Sequence, residues 1–232
     1  MYDFFLSIED SPFDVLRTLR DNERGKVLML RHKGSGTRYV FRQFAGNGDV
    51  YHKLLAVRSP YLPCIWDVFT EGEQTVVLEE FIEGDTLHEV LKGGLLTSEE
   101  TRRTATDLCK ALYVLHGLGA VHRDVKPENV ILRGENAVLV DFDASRVIKP
   151  EHSQDTVVLG TMGFAAPEQY GLSQTDGRSD IYSLGVLINV MLTGKHPSRQ
   201  LAEGRWGNIV AKCTAAAPQK RYQSVTELME DL

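Results

Sequence analysis

Apolar and polar positions change their period along this chain. In the first third they alternate or cluster as β-branched runs: residues 15–19, 26–31 and 37–44 predict strands. Lys33-Gly34-Ser35-Gly36 separates the last two and predicts a hairpin turn. Residues 76–81 predict a further strand, broken by Glu83-Gly84-Asp85. Beyond that point the period is that of a helix. Thr97-Ser98-Glu99-Glu100 reads as a capping box, with Thr97 as the cap and Glu100 reaching back to it. Ala105, Leu108, Ala111, Leu112 and Leu115 then share one helical face, and Gly117 and Gly119 stop the helix. Residues 130–132 and 137–140 predict short strands around Arg133-Gly134-Glu135-Asn136. Residues 180–193 predict a strongly apolar helix and residues 224–232 an amphipathic one. Strands first and helices after imply an α+β fold, with a small sheet lobe and a larger, mainly helical lobe.

Composition narrows the picture without changing it. The 232 residues suffice for one large domain or two closely packed lobes. The chain is 42% hydrophobic and 25% charged, as in ordinary globular proteins. A net charge of −6 gives no bulk basic surface for nucleic acid or an anionic membrane. The longest apolar stretch, residues 181–192, is too short to span a bilayer. Residues 1–10 are acidic at their start and lack a basic run, so no signal peptide is expected. Cys64, Cys109 and Cys213 are odd in number and far apart, which predicts free thiols and a cytoplasmic setting. The seven histidines show no metal-ligand spacing.

The chemistry concentrates in His122-Arg123-Asp124-Val125-Lys126-Pro127-Glu128-Asn129, followed by Asp141-Phe142-Asp143. These runs hold a candidate base, a phosphate-binding cation, an amide ligand and a carboxylate ligand, the parts that phosphoryl transfer needs. The chain here resembles the eukaryotic-type (Hanks-type) serine/threonine protein kinase family, whose signature is H-R-D-x-K-x-x-N, then D-F-G, then A-P-E. It reads HRDVKPEN, DFD and Ala166-Pro167-Glu168. The resemblance implies a two-lobe protein-kinase fold with an antiparallel-sheet N-lobe at about 1–82, a hinge at about 83–86 and a C-lobe at about 87–232.

It also implies roles. Asp124 would orient the attacking hydroxyl, and Lys126, the serine/threonine marker, would touch the transferring phosphate. Asn129 and Asp141 would hold Mg²⁺ through hard oxygen ligands. Arg123 beside Asp124 suggests control by a phosphorylated loop, with Ser153 and Thr156 as phosphosites. In the run Gly160 to Glu168, which looks like the substrate-docking loop, Thr161 would hydrogen-bond Asp124 and Lys126. Glu168 would pair with Arg221, and Asp180 would brace the catalytic-loop backbone.

Departures from the family gather in the N-lobe. Of the glycine-rich loop only the third glycine remains, Gly25 before Val27, with Arg20 and Asn22 at the other two positions. Arg20 and Arg24 are the alternative cations there. Arg42 stands where the family has a strand lysine, a swap that is not conservative. Helix C must shrink to a turn or two around residues 49–55, and its glutamate has no clear match. Asp49 is one partner for Arg42. The other is Glu79, which the alignment of residues 83–87 with the hinge puts at the gatekeeper position. Buried there unpaired, Glu79 would be costly, so an Arg42–Glu79 pair is expected. Gly25, Val27, Arg42, Glu79, Glu80 and Glu83 are the candidate nucleotide-contacting residues. Asp143 replaces the glycine of D-F-G, as a residue that tolerates positive φ. Residues 198–208 leave little room for the family's substrate-side helix.

The resulting expectation is ATP- and Mg²⁺-dependent transfer of phosphate to serine or threonine hydroxyls of protein substrates, slowed by a weakened nucleotide grip. A pseudokinase acting as a nucleotide-binding or scaffold module is the first alternative. The second is a small-molecule kinase, since aminoglycoside and choline kinases carry a D-x-D; they lack the G-T-x-G-[FY]-x-A-P-E loop found here.

Overall fold

A computed structural model describes residues 11–23, 25–46, 48–148, 163–170 and 175–232. The chain divides into two compact units, Met1–Ser59 with Pro63–Ile82, and Pro60–Leu62 with Glu83–Leu232.

The first unit is a five-stranded antiparallel sheet with spatial order β1-β2-β3-β5-β4. Its strands are β1 (Phe13–Asn22), β2 (Gly25–His32), β3 (Arg38–Ala45), β4 (Ile65–Glu71) and β5 (Gln74–Glu80). Alternation puts Leu28, Leu30 and Phe41 into one core cluster, against which Phe13, Tyr39, Val76 and Leu78 pack. The even-numbered residues of β3, Val40, Arg42 and Phe44, take the opposite face. The short helix α1 (Asp49–Leu54) buries Val50, Tyr51 and Leu54, and the Tyr51 ring sits 5.6 Å from that of Phe44. Its bounds match the one or two turns expected at residues 49–55. Strand β4 escaped the periodicity reading because its register shifts between Ile65 and Asp67, which exposes Trp66 and spoils the alternation.

The hairpin between β1 and β2 is tight, with Asn22 opposite Gly25 and Arg20 opposite Val27. Gly25 has φ +122°, and a Cβ there would lie 2.1 Å from the Gln43 carbonyl oxygen of β3. Only glycine permits so close an approach of two backbones.

The second unit is mainly helical. Its helices are α2 (Leu87–Gly93), α3 (Ser98–Gly117), α4 (Gly177–Thr193), α5 (Gly204–Cys213) and α6 (Val225–Glu230). The capping box of α3 is formed: Glu100 N–H donates to Thr97 Oγ1 at 3.2 Å, and Thr97 N–H to Glu100 Oε2 at 2.8 Å. Helix α4 is the buried axis of the unit, and it starts three residues before the predicted Asp180 because Asp176 caps it. A Cβ on Gly185 of α4 would lie 2.2 Å from Cys213 Cβ of α5, so these helices meet at a glycine. Helix α5 begins inside the segment read as merely shortened; its two glycines hid it. Short strands β6 (Asp85–Thr86), β8 (Val130–Arg133) and β9 (Asn136–Leu139) form one small sheet, and β7 (Ala120–Val121) pairs with β10 (Arg146–Val147).

Candidate active site

The loop from His122 to Asn129 leaves β7 and enters β8 through a 3₁₀ turn at Pro127–Asn129. It is held from beneath by one buried carboxylate. Asp180 of α4 is fully buried and accepts hydrogen bonds from the backbone N–H groups of His122 (2.9 Å) and Arg123 (2.8 Å). His116 Nε2 lies 2.9 Å from the same carboxylate. These bonds hold a loop whose Arg123 has φ 70°, an unusual value for a non-glycine residue. The Arg123 carbonyl also accepts from Gln169 Nε2 at 2.9 Å. The sequence reading of Asp180 as a brace therefore has its geometry.

His122 is fully buried, and burial lowers its pKa, with the charges of Asp180, Asp124 and Asp141 opposing. Its partners agree with a neutral ring. Asp124 N–H must donate to Nδ1 (3.3 Å), so Nε2 carries the proton and donates to the Val140 carbonyl (3.2 Å).

The chemistry-bearing side chains of the loop converge. Lys126 Nζ lies 2.7 Å from Asp124 Oδ2. Asn129 Nδ2 donates to the Asp124 carbonyl (2.9 Å) and to Asp124 Oδ2 (3.0 Å). Both acceptors need the amide N–H side, so Asn129 Oδ1 is left as that side chain's ligand atom for a cation. Asp141 has φ 69°, and its Oδ1 accepts from Asp143 N–H at 3.4 Å. Positive φ was expected at Asp143, which replaces the family glycine; it falls on Asp141 instead. Phe142 between them is buried, edge-on to His122 at 5.4 Å. An amide oxygen and a carboxylate are hard oxygen donors of the kind Mg²⁺ takes, while among the described residues no three His, Cys, Asp or Glu side chains are grouped to hold a metal.

Behind the loop, Arg221 grips Glu168 with both terminal nitrogens at 2.6 and 2.8 Å. Arg221 also lies over the Tyr182 ring at 4.9 Å and donates to the carbonyls of Arg178 and Ala215. Burial and the nearby charge of Arg146 lower the Arg123 pKa, with Asp180 opposing. Sequence reasoning did not mark Arg146, His116 or Gln169; each becomes visible only through a tertiary neighbour. Ser153, Thr156, Thr161 and Arg24 lie outside the described residues.

In the first unit, Arg42 Nε and Glu79 Oε1 are 2.5 Å apart, with side chains 9% and 3% exposed. Glu79 faces Val40 directly and Arg42 diagonally across β3 and β5, on one face of the sheet. Of the two partners considered for Arg42, Glu79 makes the pair, and Asp49 sits in the first turn of α1. Val27 is buried in β2. Glu80 accepts from Cys64 N–H at 3.0 Å, so this candidate nucleotide contact is engaged with its own sheet. Glu83 is exposed at the start of the second unit.

This geometry can be set beside known proteins. The protein kinase domain model matches residues 25–231. The chain belongs to the protein kinase family. Its relatives include the serine/threonine-protein kinase pkn2 of Myxococcus xanthus, 33% identical over 207 residues, covering 81% of this chain and 25% of that protein. Another is the serine/threonine-protein kinase PknB of Mycobacterium leprae, 30% identical over 208 residues, 76% of this chain and 33% of that protein. A third is the serine/threonine-protein kinase PknA of Nostoc, 31% identical over 266 residues, 96% of this chain and 47% of that protein. The chain thus spans a quarter to about half the length of these curated kinases. The antiparallel sheet of the first unit and the helices of the second are the secondary structure expected of this kinase domain. Among the described residues no helix is long and apolar enough to cross a membrane.

Proposed function

We propose that residues 1–232 form a single serine/threonine protein kinase domain that transfers the terminal phosphoryl group of ATP, with Mg²⁺, to protein hydroxyls. The observation that carries this reading is the Asp124–Lys126–Asn129 cluster on a backbone braced by Asp180. Phosphoryl transfer asks little covalent chemistry of a protein; it needs positioned charges. Asp124 accepts the hydrogen bond of the acceptor hydroxyl and orients its oxygen for in-line attack. Lys126, held at 2.7 Å from Asp124, offsets charge on the phosphoryl oxygens. Asn129 and Asp141 would hold Mg²⁺, which would supply the positive charge that offsets the phosphates. Arg42, fixed by Glu79 rather than by a helix, supplies the cation for the nucleotide phosphates, beside Gly25 and Val27. Arginine in place of lysine, together with two missing loop glycines, makes the expected turnover slow. The three free thiols fit the reducing cytoplasm.

The test is incubation with labelled ATP and Mg²⁺, with and without a protein substrate, alongside Asp124→Asn. Label transfer by the native chain that Asp124→Asn abolishes is the expected result. Nucleotide binding without Asp124-dependent transfer would instead make the chain a nucleotide-binding module. Transfer to aminoglycosides or choline, and not to protein, would make it a small-molecule kinase.

A further inference from the structure

One face of the first unit's sheet is dry in its middle and wet at both edges. Phe41 of β3 and Leu28 and Leu30 of β2 are 0%, 2% and 1% exposed. The apolar side chains packed against them, Phe13, Tyr39, Val76 and Leu78, belong to the same sheet. Helix α1 lies on the other face, where Tyr51 meets Phe44. A sheet face open to water leaves its side chains partly wet, so exposures of 0–2% call for a second layer. That layer is narrow. Val15, opposite Leu30 on the edge strand β1, is 54% exposed. Trp66, on the other edge strand and 6.3 Å from the Tyr39 ring, is 53% exposed.

The chain has a segment suited to that strip. Residues 1–10 lie outside the described residues and lead directly into β1. Met1, Tyr2, Phe4, Phe5, Leu6 and Ile8 make this segment predominantly apolar. It joins the sheet on this same face. Ser11 is 5% exposed, and the Pro12 carbonyl accepts from Lys33 N–H at 2.8 Å, just past the end of β2. The Phe13 ring then stands 5.5 Å from that of Tyr39. Crossing five strands takes about 19 Å, and ten extended residues reach about 33 Å, so the segment is long enough.

We propose that residues 1–10 dock across the middle of this face and form its second layer, with Phe4 and Ile8 turned onto Leu28, Leu30 and Phe41. Positions four apart share a face in a helix and in a strand alike, so this pair follows from the sequence in either conformation. A strip this narrow suits one segment of chain, whereas the sheet of a second copy would cover Val15 and Trp66 as well. The inference does not depend on the kinase reading, yet it bears on the candidate site. Phe41 sits between Val40 and Arg42, so the docked segment backs the strand whose other face carries the Arg42–Glu79 pair.

The test is nuclear magnetic resonance on the full chain, with the double variant Phe4→Glu/Ile8→Glu beside it. The native chain should show Overhauser contacts, within one chain, from the Phe4 ring and the Ile8 methyls to Leu28, Leu30 and Phe41. In the variant the amides of β2 and β3 should exchange about tenfold faster, while those of β8 and β9 in the second unit keep their native rates. The second unit thereby separates loss of the cover from failure to fold. The absence of any contact between residues 1–10 and this face in the native chain would overturn the inference. Contacts seen only between differently labelled copies would overturn it too, and would make a second copy the cover. So would unchanged exchange of β2 and β3 in the variant.

Discussion

Replacing Glu79 by alanine removes one member of an ion pair whose side chains are 9% and 3% exposed. The Arg42 guanidinium would lose its Glu79 carboxylate on the buried face of the sheet. Breaking a buried pair from one side costs about 3–5 kcal/mol, whereas an exposed pair contributes about 0–1 kcal/mol. Against a total stability of about 5–15 kcal/mol, the expected loss is a large fraction. Replacing both partners together, Arg42→Met with Glu79→Leu, should cost less than Glu79→Ala alone, because neither charge of the pair is left behind. The assay is urea unfolding of the four members of this double-mutant cycle, read by hydrogen exchange at the amides of β3 and β5. The KM for ATP is measured in parallel and should rise in every variant. A loss under about 1 kcal/mol in Glu79→Ala, with ATP affinity and turnover unchanged, would refute both the buried-pair energetics and the role of Glu79 in fixing Arg42.

Three further outcomes are expected. His122 is kept neutral by burial, so its folded pKa lies below the unfolded value. Its contribution to stability is therefore present above about pH 6.5 and lost as pH falls below that, and His122→Phe should flatten the stability slope between about pH 7 and 5 in equilibrium unfolding. Burial pushes the Cys109 thiol up to about 12 and raises Cys213 as well, while Cys64 is only half-buried. Thiol labelling at mild pH should accordingly reach Cys64 first and the other two only on unfolding; immediate labelling of all three would contradict the burial. Arg221→Lys exchanges a two-pronged grip on Glu168 for a point charge and drops bonds to the Ala215 and Arg178 carbonyls. It should cost about 2–3 kcal/mol in urea unfolding, and a cost near zero would show that the fork is not needed.

Local signals were enough for some elements and not for others. The capping box at Thr97 was legible because its two hydrogen bonds lie within four residues. Helix α1 was legible as a length, since only seven residues separate Arg42 from Val50, the nearest position aligned with the family. Strand β4 was not, because a bulge at Trp66 breaks the alternation on which strand reading depends. Positive φ was expected at Asp143 from residue type, yet the backbone turns at Asp141, an aspartate of the same tolerance two residues earlier.

The candidate catalytic residues were named from sequence alone, because HRDVKPEN and DFD place them within one short stretch of chain. What only tertiary structure decided was the partners of those groups. Asp180 reaches back 58 residues to His122, Arg221 reaches 53 to Glu168, and Glu79 reaches 37 to Arg42. The choice of Glu79 over Asp49 followed from strand register, which puts Glu79 and Arg42 on one buried face where an unpaired charge is not tolerated.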